Sequence, residues 1–450
     1  MRVELPAYPT VKPLPGSLFG SVPATWRPIR LKFVMPHVTV GIVITPSKYY
    51  VDDGVPAIRS LNVKDGRLTD DDLVFFSDED NRKLAKTRIY KDDVVIVRTG
   101  QTGSCAVVDD RFNGANCIDL IIVRKSRHLR SRFLHYFLAS GEAAAEITMS
   151  SNGAIQQHFN IGLVREISLL QPSIDEQDAI VAFLDRETAK IDRLMAVRQK
   201  QVERLQEQRT AVIHHAVTKG LDPQAKMKPS GVEWLGDVNA EWKLFDIKHL
   251  AEVVAGGTPK STEADYWDGD VVWVTPTDFG NDGQRHITES GRTITPKGQI
   301  AAGLETLSEG AVVMSTRAPV GSLGILSVPA TTNQGCKGMA FDKRMADPRY
   351  FFYLLSLAVP FLNATAQGAT FVELSGFQLK NLKVACPDAQ IQGQIADWLD
   401  DEMKRFDGLF AKYQRELELL AEYRTSLISH AVTGKIDVRG LVEPQSLEAA

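Results

Sequence analysis

Residues 173–222 and 388–437 space their apolar positions as long amphipathic helices do. Leu184, Ile191, Leu205 and Val212 fall on one heptad position of the first stretch. Leu399, Phe406, Leu420 and Leu427 fall on it in the second, with Arg198 and Tyr413 as interruptions. The stretches align without a gap at a constant offset of 215, pairing Asp192 with Asp407 and the HAVT beginning at His215 with that beginning at His430. Chance similarity between two charged helices does not hold register over so many turns. An apolar seam needs a partner, and the only long amphipathic partner in the chain is the other repeat. An antiparallel intramolecular coiled coil of roughly 60 Å is expected, relating the halves by a pseudo-two-fold axis. Pro172 and Pro387 punctuate the helix starts, and Gly220 with Pro223 ends the first.

Upstream of each helix the repeat is weaker but ordered. Leu18-Phe19-Gly20 before Trp26 mirrors Trp234-Leu235-Gly236 before Trp242, and Asp93 to Arg98 with Gly103-Ser104 mirrors Gly310 to Met314 with Arg317 and Gly321-Ser322. β-Branched runs at 94–97, 117–123, 271–274 and 311–314 are separated by Gly, Pro and Asp, whereas 133–138 and 350–357 read as buried helices. The fold class is α+β, with two mixed α/β domains alternating with two long helices. The expected divisions are an arm at 1–25, a domain at 26–172, a helical spacer at 173–220 and a linker at 221–241. A second domain at 242–387, a second spacer at 388–437 and a tail at 438–450 follow. Pro6, Pro9, Pro13, Pro15 and Pro23 make the arm read as extended.

Composition then narrows the function. With 450 residues and 44% hydrophobic content the chain can bury ordinary cores in two to four domains. Its longest apolar stretch, 350–362, is too short for a membrane span, and residues 1–20 lack a signal-peptide pattern, so a cytoplasmic location is expected. Cys105, Cys117, Cys336 and Cys386 stand apart and read as free, mostly buried thiols, with no metal site. A net charge of −4 excludes coating of nucleic acid by bulk charge, so any DNA contact must be local. Gly434-Lys435 lacks the rest of a phosphate loop, and no Pro-Pro pair exists to supply an amino-methyltransferase motif. His214, His215 and His430 have no partners at ligand spacing. No catalytic residue and no cofactor is expected.

What remains are turn-rich stretches carrying the residue types that contact DNA. In the first domain these are Thr45, Lys48 and Tyr49; Arg59 and Asn62; Arg98, Thr99, Gln101 and Thr102; and Asn152 with Gln156. In the second they are Thr258, Lys260, Thr262 and Tyr266; Thr275 and Thr277; Arg317; and Thr370. Arginine can bridge guanine O6 and N7, Asn and Gln can bridge adenine, and hydroxyls let backbone approach phosphate. The basic run 124–132 is equally a phosphate contact or a solvated helix start.

The arrangement resembles the specificity subunits of type I restriction-modification systems, over nearly the whole chain. The residues that carry the resemblance are Pro172 with Asp175-Glu176-Gln177, then Ile180, Leu184, Asp185, Ile191-Asp192 and Arg209, together with the linker 228–236. The second helix start, Asp388-Ala389-Gln390-Ile391-Gln392, departs by lacking the acidic pair before glutamine. The resemblance implies two recognition domains that read a bipartite, asymmetric target in double-stranded DNA, with the helices as spacer. It implies two methyltransferase (modification) subunits held on the helices, and a translocating endonuclease (restriction) subunit recruited to the complex. Gln177, Asp185, Arg209, Gln392, Asp400 and Arg424 are the expected partner contacts. A coiled-coil scaffold that never touches DNA stays open as an alternative. A self-contained modification enzyme with a fused reader is disfavoured by the missing motifs.

Overall fold

The computed structural model describes residues 5–64, 66–151, 159–280, 285–317, 320–365 and 374–441. The helices that bear on the site are α1 (Leu31–Val34), α2 (Ser131–Leu138), α3 (Ile161–Glu166), α4 (Ile174–Thr218), α5 (Pro348–Thr365), α6 (Gly376–Lys380) and α7 (Ala389–Val432). The chain divides into two compact units, Met1–Arg198 with Arg415–Ala450, and Gln199–Gln414. Each unit therefore takes one half of each long helix.

In the first unit a four-stranded antiparallel sheet runs in the order Cys105–Val107, Val94–Val97, Leu120–Val123, Val38–Val40. Both faces of its centre are covered, which explains the unbroken apolar run of Val94–Val97. Val94, Ile96, Ile121 and Val123 pack with Phe133, Leu134 and Phe137 of α2. Val95, Val97, Leu120 and Ile122 pack with Ile58 and Phe112 on the other side. A second four-stranded sheet holds Asn116–Cys117, Val55–Ile58, Val74–Phe76 and Tyr50–Val51 in that order. Arg27–Arg30 pairs with Ser168–Gln171, so the entry and exit of the globular part are zipped together just before α4 begins.

The second unit repeats this plan. Lys243–Asp246 pairs with Lys383–Cys386 ahead of α7, and a five-stranded sheet carries Ala251–Ala255, Cys336–Phe341, Val312–Ser315, Leu323–Leu326 and His286–Ile287 in that order. Beside it a three-stranded sheet is centred on Trp267–Val274. α5 covers the larger sheet with Tyr350, Phe351 and Leu354, as α2 does in the first unit. Both buried helices lie where the apolar runs place them.

Residues 1–25, expected as an extended arm, instead contain an antiparallel pair, Val11–Leu14 with Gly20–Pro23. Tyr8, Phe19 and Val22 between the prolines are buried in the unit's core and hold it down. The linker has the same device, Met227–Pro229 with Asp237–Asn239. The tail is likewise anchored at its start, where Val438 is buried.

The long helices run antiparallel within each unit. In the first, Asp192 accepts from Arg424 at 2.8 Å and Arg198 pairs with Glu416 at 2.8 Å, so α7 numbers fall as α4 numbers rise. Ile180, Leu184 and Ile191 pack there with Leu427, Ile428 and Ala431. In the second unit Arg209 lies 3.4 Å from Asp407, and Ala216 and Val217 pack with Ile395, Ala396 and Leu399. Arg198, a polar interruption of the apolar stripe, is thus matched by a carboxylate across the seam. Replacing Leu205 and Leu420 together by Asp puts carboxylates into this seam and is expected to cost more than about 3 kcal/mol. Chemical denaturation followed by circular dichroism checks this; a double variant as stable as wild type would mean the seam is not the packing interface.

Candidate nucleic-acid interface

In each unit one segment gathers the candidate loops. In the first it is 117–120. Ile42 N–H donates to the Cys117 carbonyl at 2.8 Å, Asp119 N–H donates to the Ile42 carbonyl at 3.0 Å, and Ile118 N–H donates to the Ile58 carbonyl at 2.8 Å. The Asp119 carboxylate accepts from Arg98 Nη1 at 2.6 Å. Loops 41–50, 58–62 and 98–103 therefore leave the sheets side by side. In the second unit the gathering segment is 332–336: Gly257 N–H donates to the Thr332 carbonyl at 3.0 Å, Asn333 N–H to the Val274 carbonyl at 2.8 Å, and Thr316 N–H to the Gly335 carbonyl at 2.7 Å. The sequence-selected stretches 256–262, 274–278 and 315–317 thus meet at the equivalent place. Gly256 permits this closeness, since a Cβ there would stand 1.9 Å from the Asn333 carbonyl oxygen.

The individual side chains divide into presented and consumed. Thr45 is exposed and adopts the left-handed region (φ 45°) to open the turn Pro46–Tyr49. Exposed Lys48 lies 4.7 Å from the ring of Tyr49, which itself leans on Phe76. Thr99 and Gln101 sit exposed at a loop tip, with Thr102 half-buried behind them. Thr258, Lys260, Thr262 and Thr277 are exposed, and the first of these bonds the side chain of Gln334. Trp273 and Trp267 pin their loop through Nε1–H bonds to the carbonyls of Gly257 (3.0 Å) and Lys260 (3.2 Å). Tyr266 is half-buried beneath Lys297.

Other expected readers are committed inside the protein. Asn62 is fully buried, accepting from Arg59 N–H at 2.9 Å and donating to the Asp71 carbonyl at 2.7 Å. Arg59 turns to Asp72 at 3.0 Å, and Thr275 spends its hydroxyl on Asp278 at 2.7 Å. Arg98 is held by Asp119 and by the Phe159 carbonyl at 3.3 Å. Its supposed counterpart shifts by one position. Gly103 N–H bonds the Val97 carbonyl as Gly321 N–H bonds that of Ser315, which aligns Arg98 with Thr316 and exposed Arg317 with Thr99. Asn152, Gln156 and Thr370 lie outside the described residues. Sequence reasoning passed over Ile44, 81% exposed beside Thr45, Arg292, stacked 4.0 Å from the Trp267 ring, and Gln334. None has a local signal, because each is placed by a distant strand.

The residues expected at a partner surface instead join each globular part to its helix. Gln177 and Gln392 are fully buried. Gln177 accepts from Arg130 N–H at 2.8 Å and donates to the Pro172 carbonyl at 3.1 Å. Gln392 repeats this with Asp347 N–H at 2.8 Å and the Pro387 carbonyl at 2.7 Å. Asp185 accepts from the Tyr136 hydroxyl at 2.5 Å and from Arg132; Asp400 accepts from the Tyr353 hydroxyl at 2.7 Å and from Arg285. Burial works against ionisation of Asp400, but the bonds from Arg285 and Tyr353 outweigh it and hold its carboxyl below the usual range. Arg209 and Arg424 lie across the coiled-coil seam from Asp407 and Asp192. Among the exposed side chains of the helices, which are mostly charged or polar, the large apolar ones include Leu194, Val197, Leu419 and Tyr423 in the first unit and Trp398 and Leu409 in the second.

A repeated reader-like domain, each copy packed on parts of both paired helices, defines the class of protein. The chain matches the family model described as "Type I restriction modification DNA specificity domain" over residues 45–204 and 239–418, and it belongs to that family. It is similar to the "Type I restriction enzyme MjaIX specificity subunit" of Methanocaldococcus jannaschii, 29% identical over 44% of this chain and 45% of that one. It is also similar to the "Putative type I restriction enzyme MjaX specificity subunit" of the same organism, 21% identical over 93% of this chain and 96% of that one. A solved chain from work on complex assembly and conformational transition of the type I R-M system shares the fold at a TM-score of 0.71 and 18% identity, covering 92% of this chain and 99% of that one. Among the described residues no helix is long and apolar enough to cross a membrane.

The first joint carries a histidine on its buried helix α2. His135, its Nδ1 3.4 Å from the Cys105 thiol, is lowered to about 4 by desolvation and then by Arg132 and Arg424. The matching position in α5 is Phe352. A depressed histidine stabilises the fold above its unfolded value near 6.5, and that contribution is lost as pH falls toward 4. Wild type is expected to lose on the order of 1–3 kcal/mol over that window. His135→Phe should flatten the dependence in denaturation curves at stepped pH, and an unchanged slope would refute this source of acid sensitivity.

Proposed function

We propose that each unit reads one half of a bipartite, asymmetric target in double-stranded DNA through its gathered loops, while the paired helices set the spacing. The observation that carries this reading is the convergence of three loops on segment 117–120 and of three on 332–336, with different side chains presented at the two places. Thr45, Lys48, Thr99 and Gln101 are the proposed contacts in the first unit, and Thr258, Lys260, Thr262, Thr277 and Arg317 those in the second. Arg98 acts as a support for its loop through Asp119. With a net charge of −4 the free chain grips DNA weakly, and partners that close around the duplex supply the remaining positive charge. Two methyltransferase subunits dock on the open apolar side chains of the helices, one per repeat, and the endonuclease subunit joins that complex. This chain has no catalytic role of its own.

Exchanging residues 26–150 for those of a relative is expected to change one half of the methylated motif and leave the other intact. Arg317→Ala should cost on the order of 1–3 kcal/mol and relax preference within one half-site if it reads a guanine. Uniform weakening on every duplex, measured by titration at two salt concentrations, would make it a phosphate contact instead. Mass measurement of the reconstituted complex should give two methyltransferase copies per chain. Methyl transfer by this chain alone, or a one-to-one limit, would refute the assignment, and stable assembly without DNA binding would favour a scaffold.

A further inference from the structure

Phe33 and Phe377 are 66% and 77% exposed, each on a short helix at the foot of its globular part. The repeat did not copy one position twice. Leu31 N–H bonds the Ile167 carbonyl as Ile247 N–H bonds that of Leu382, which aligns Phe33 with His249. By the offset of the long helices Phe377 aligns with Gly162. Yet both rings sit on the same pair of packed elements: α1 against α3 in the first unit, and the turn Ile247–His249 against α6 in the second. Leaving a phenylalanine in water forgoes the free energy of burying its ring, so arriving at it twice by different routes calls for a use.

The surroundings of the two rings are alike and basic. Arg30 and Lys32 share the carboxylate of Glu166, Lys32 Nζ stands 5.3 Å from the Phe33 ring, and Arg165 belongs to α3. Glu146 lies behind, accepting from Ser168 N–H. In the second unit Lys248 and Lys383 share Asp246, Lys248 also bonds Asn381 beside α6, and Lys380 on α6 is exposed. Each site adjoins a gathered loop. Asn160, the cap of α3, follows Phe159, whose carbonyl takes Arg98; Ser375, the cap of α6, follows Leu374, whose N–H bonds the Thr316 carbonyl.

We propose that Phe33 and Phe377 are wedges that press against a base step at the edge of each half-site, while the cations around them take the flanking phosphates. A single ring in a cationic rim offers a protein partner little apolar area. It does suit a duplex, which needs only one aromatic plane at a step and positive charge on either side. The proposal rests on the DNA-reading assignment above.

The test uses the complex reconstituted with its methyltransferase partners and a short duplex carrying the motif that this complex methylates, with 2-aminopurine placed at successive steps along each half-site edge. Wild type should brighten the probe at one step per half-site. Phe33→Ala should abolish the signal at one edge and Phe377→Ala at the other, each weakening binding roughly tenfold. The salt dependence should stay unchanged, because the phosphate contacts remain. Phe→Trp at either position should restore both readouts. Unchanged brightening and affinity in both alanine variants would overturn the wedge while leaving DNA reading intact. So would loss of methyltransferase subunits from the variants by mass measurement, which would make these rings protein contacts. Wild-type complex that fails to bind any duplex would overturn the parent reading and the wedge with it.

Discussion

The seam between α4 and α7 is the interaction on which everything else depends, because neither globular part has a complete core without both helices. In the first unit Ile180, Phe183 and Leu184 from α4 and Leu427, Ile428 and Ala431 from α7 enter the same cluster as Trp26 and Phe133. In the second, Ala216 and Val217 join Ile395 and Leu399 beneath Tyr350. The coiled coil is thus shared structure, and disturbing it disturbs the domains that present the loops.

The joints explain why the helices kept their repeat while the loops did not. Gln177 and Gln392 are buried hydrogen-bonding hubs, and a substitution there strands backbone groups with no access to water. Asp185 and Asp400 bind a tyrosine and arginines that come from the globular part. Loop positions such as Thr99 and Gln101 meet solvent and carry no such penalty. A scaffold held by buried polar pairs tolerates exchange of its exposed surface.

This also accounts for what could be read from the chain. The long helices, their antiparallel pairing and the buried helices α2 and α5 follow from periodicity, which is a local signal. That Gln177 and Asp185 turn inward was not legible, since a polar residue on an amphipathic helix looks the same whether it meets a partner protein or a backbone N–H from its own domain. Asn62 and Arg98 misled for the same reason: their residue types suit bases, but Asp71 and Asp119 claim them through contacts set by tertiary structure. The loops themselves were placed correctly because turn chemistry marks them. Their convergence depends on pairings such as Asn333 with Val274, far apart in sequence.

The division of the chain has a consequence for biosynthesis. The second unit is one continuous segment, Gln199–Gln414, whereas the first needs Arg415 onward to fill its core, down to Val438. A ribosome releases residues from the N-terminus, so the domain made first waits for the last turns of α7 while the domain made second closes beforehand. Until then the cluster around Trp26 and Phe133 stands with one wall missing, a nascent apolar surface for chaperones to shield. A transcript cut short in α7 after Gln414 would leave the later domain its whole segment and deprive the earlier one.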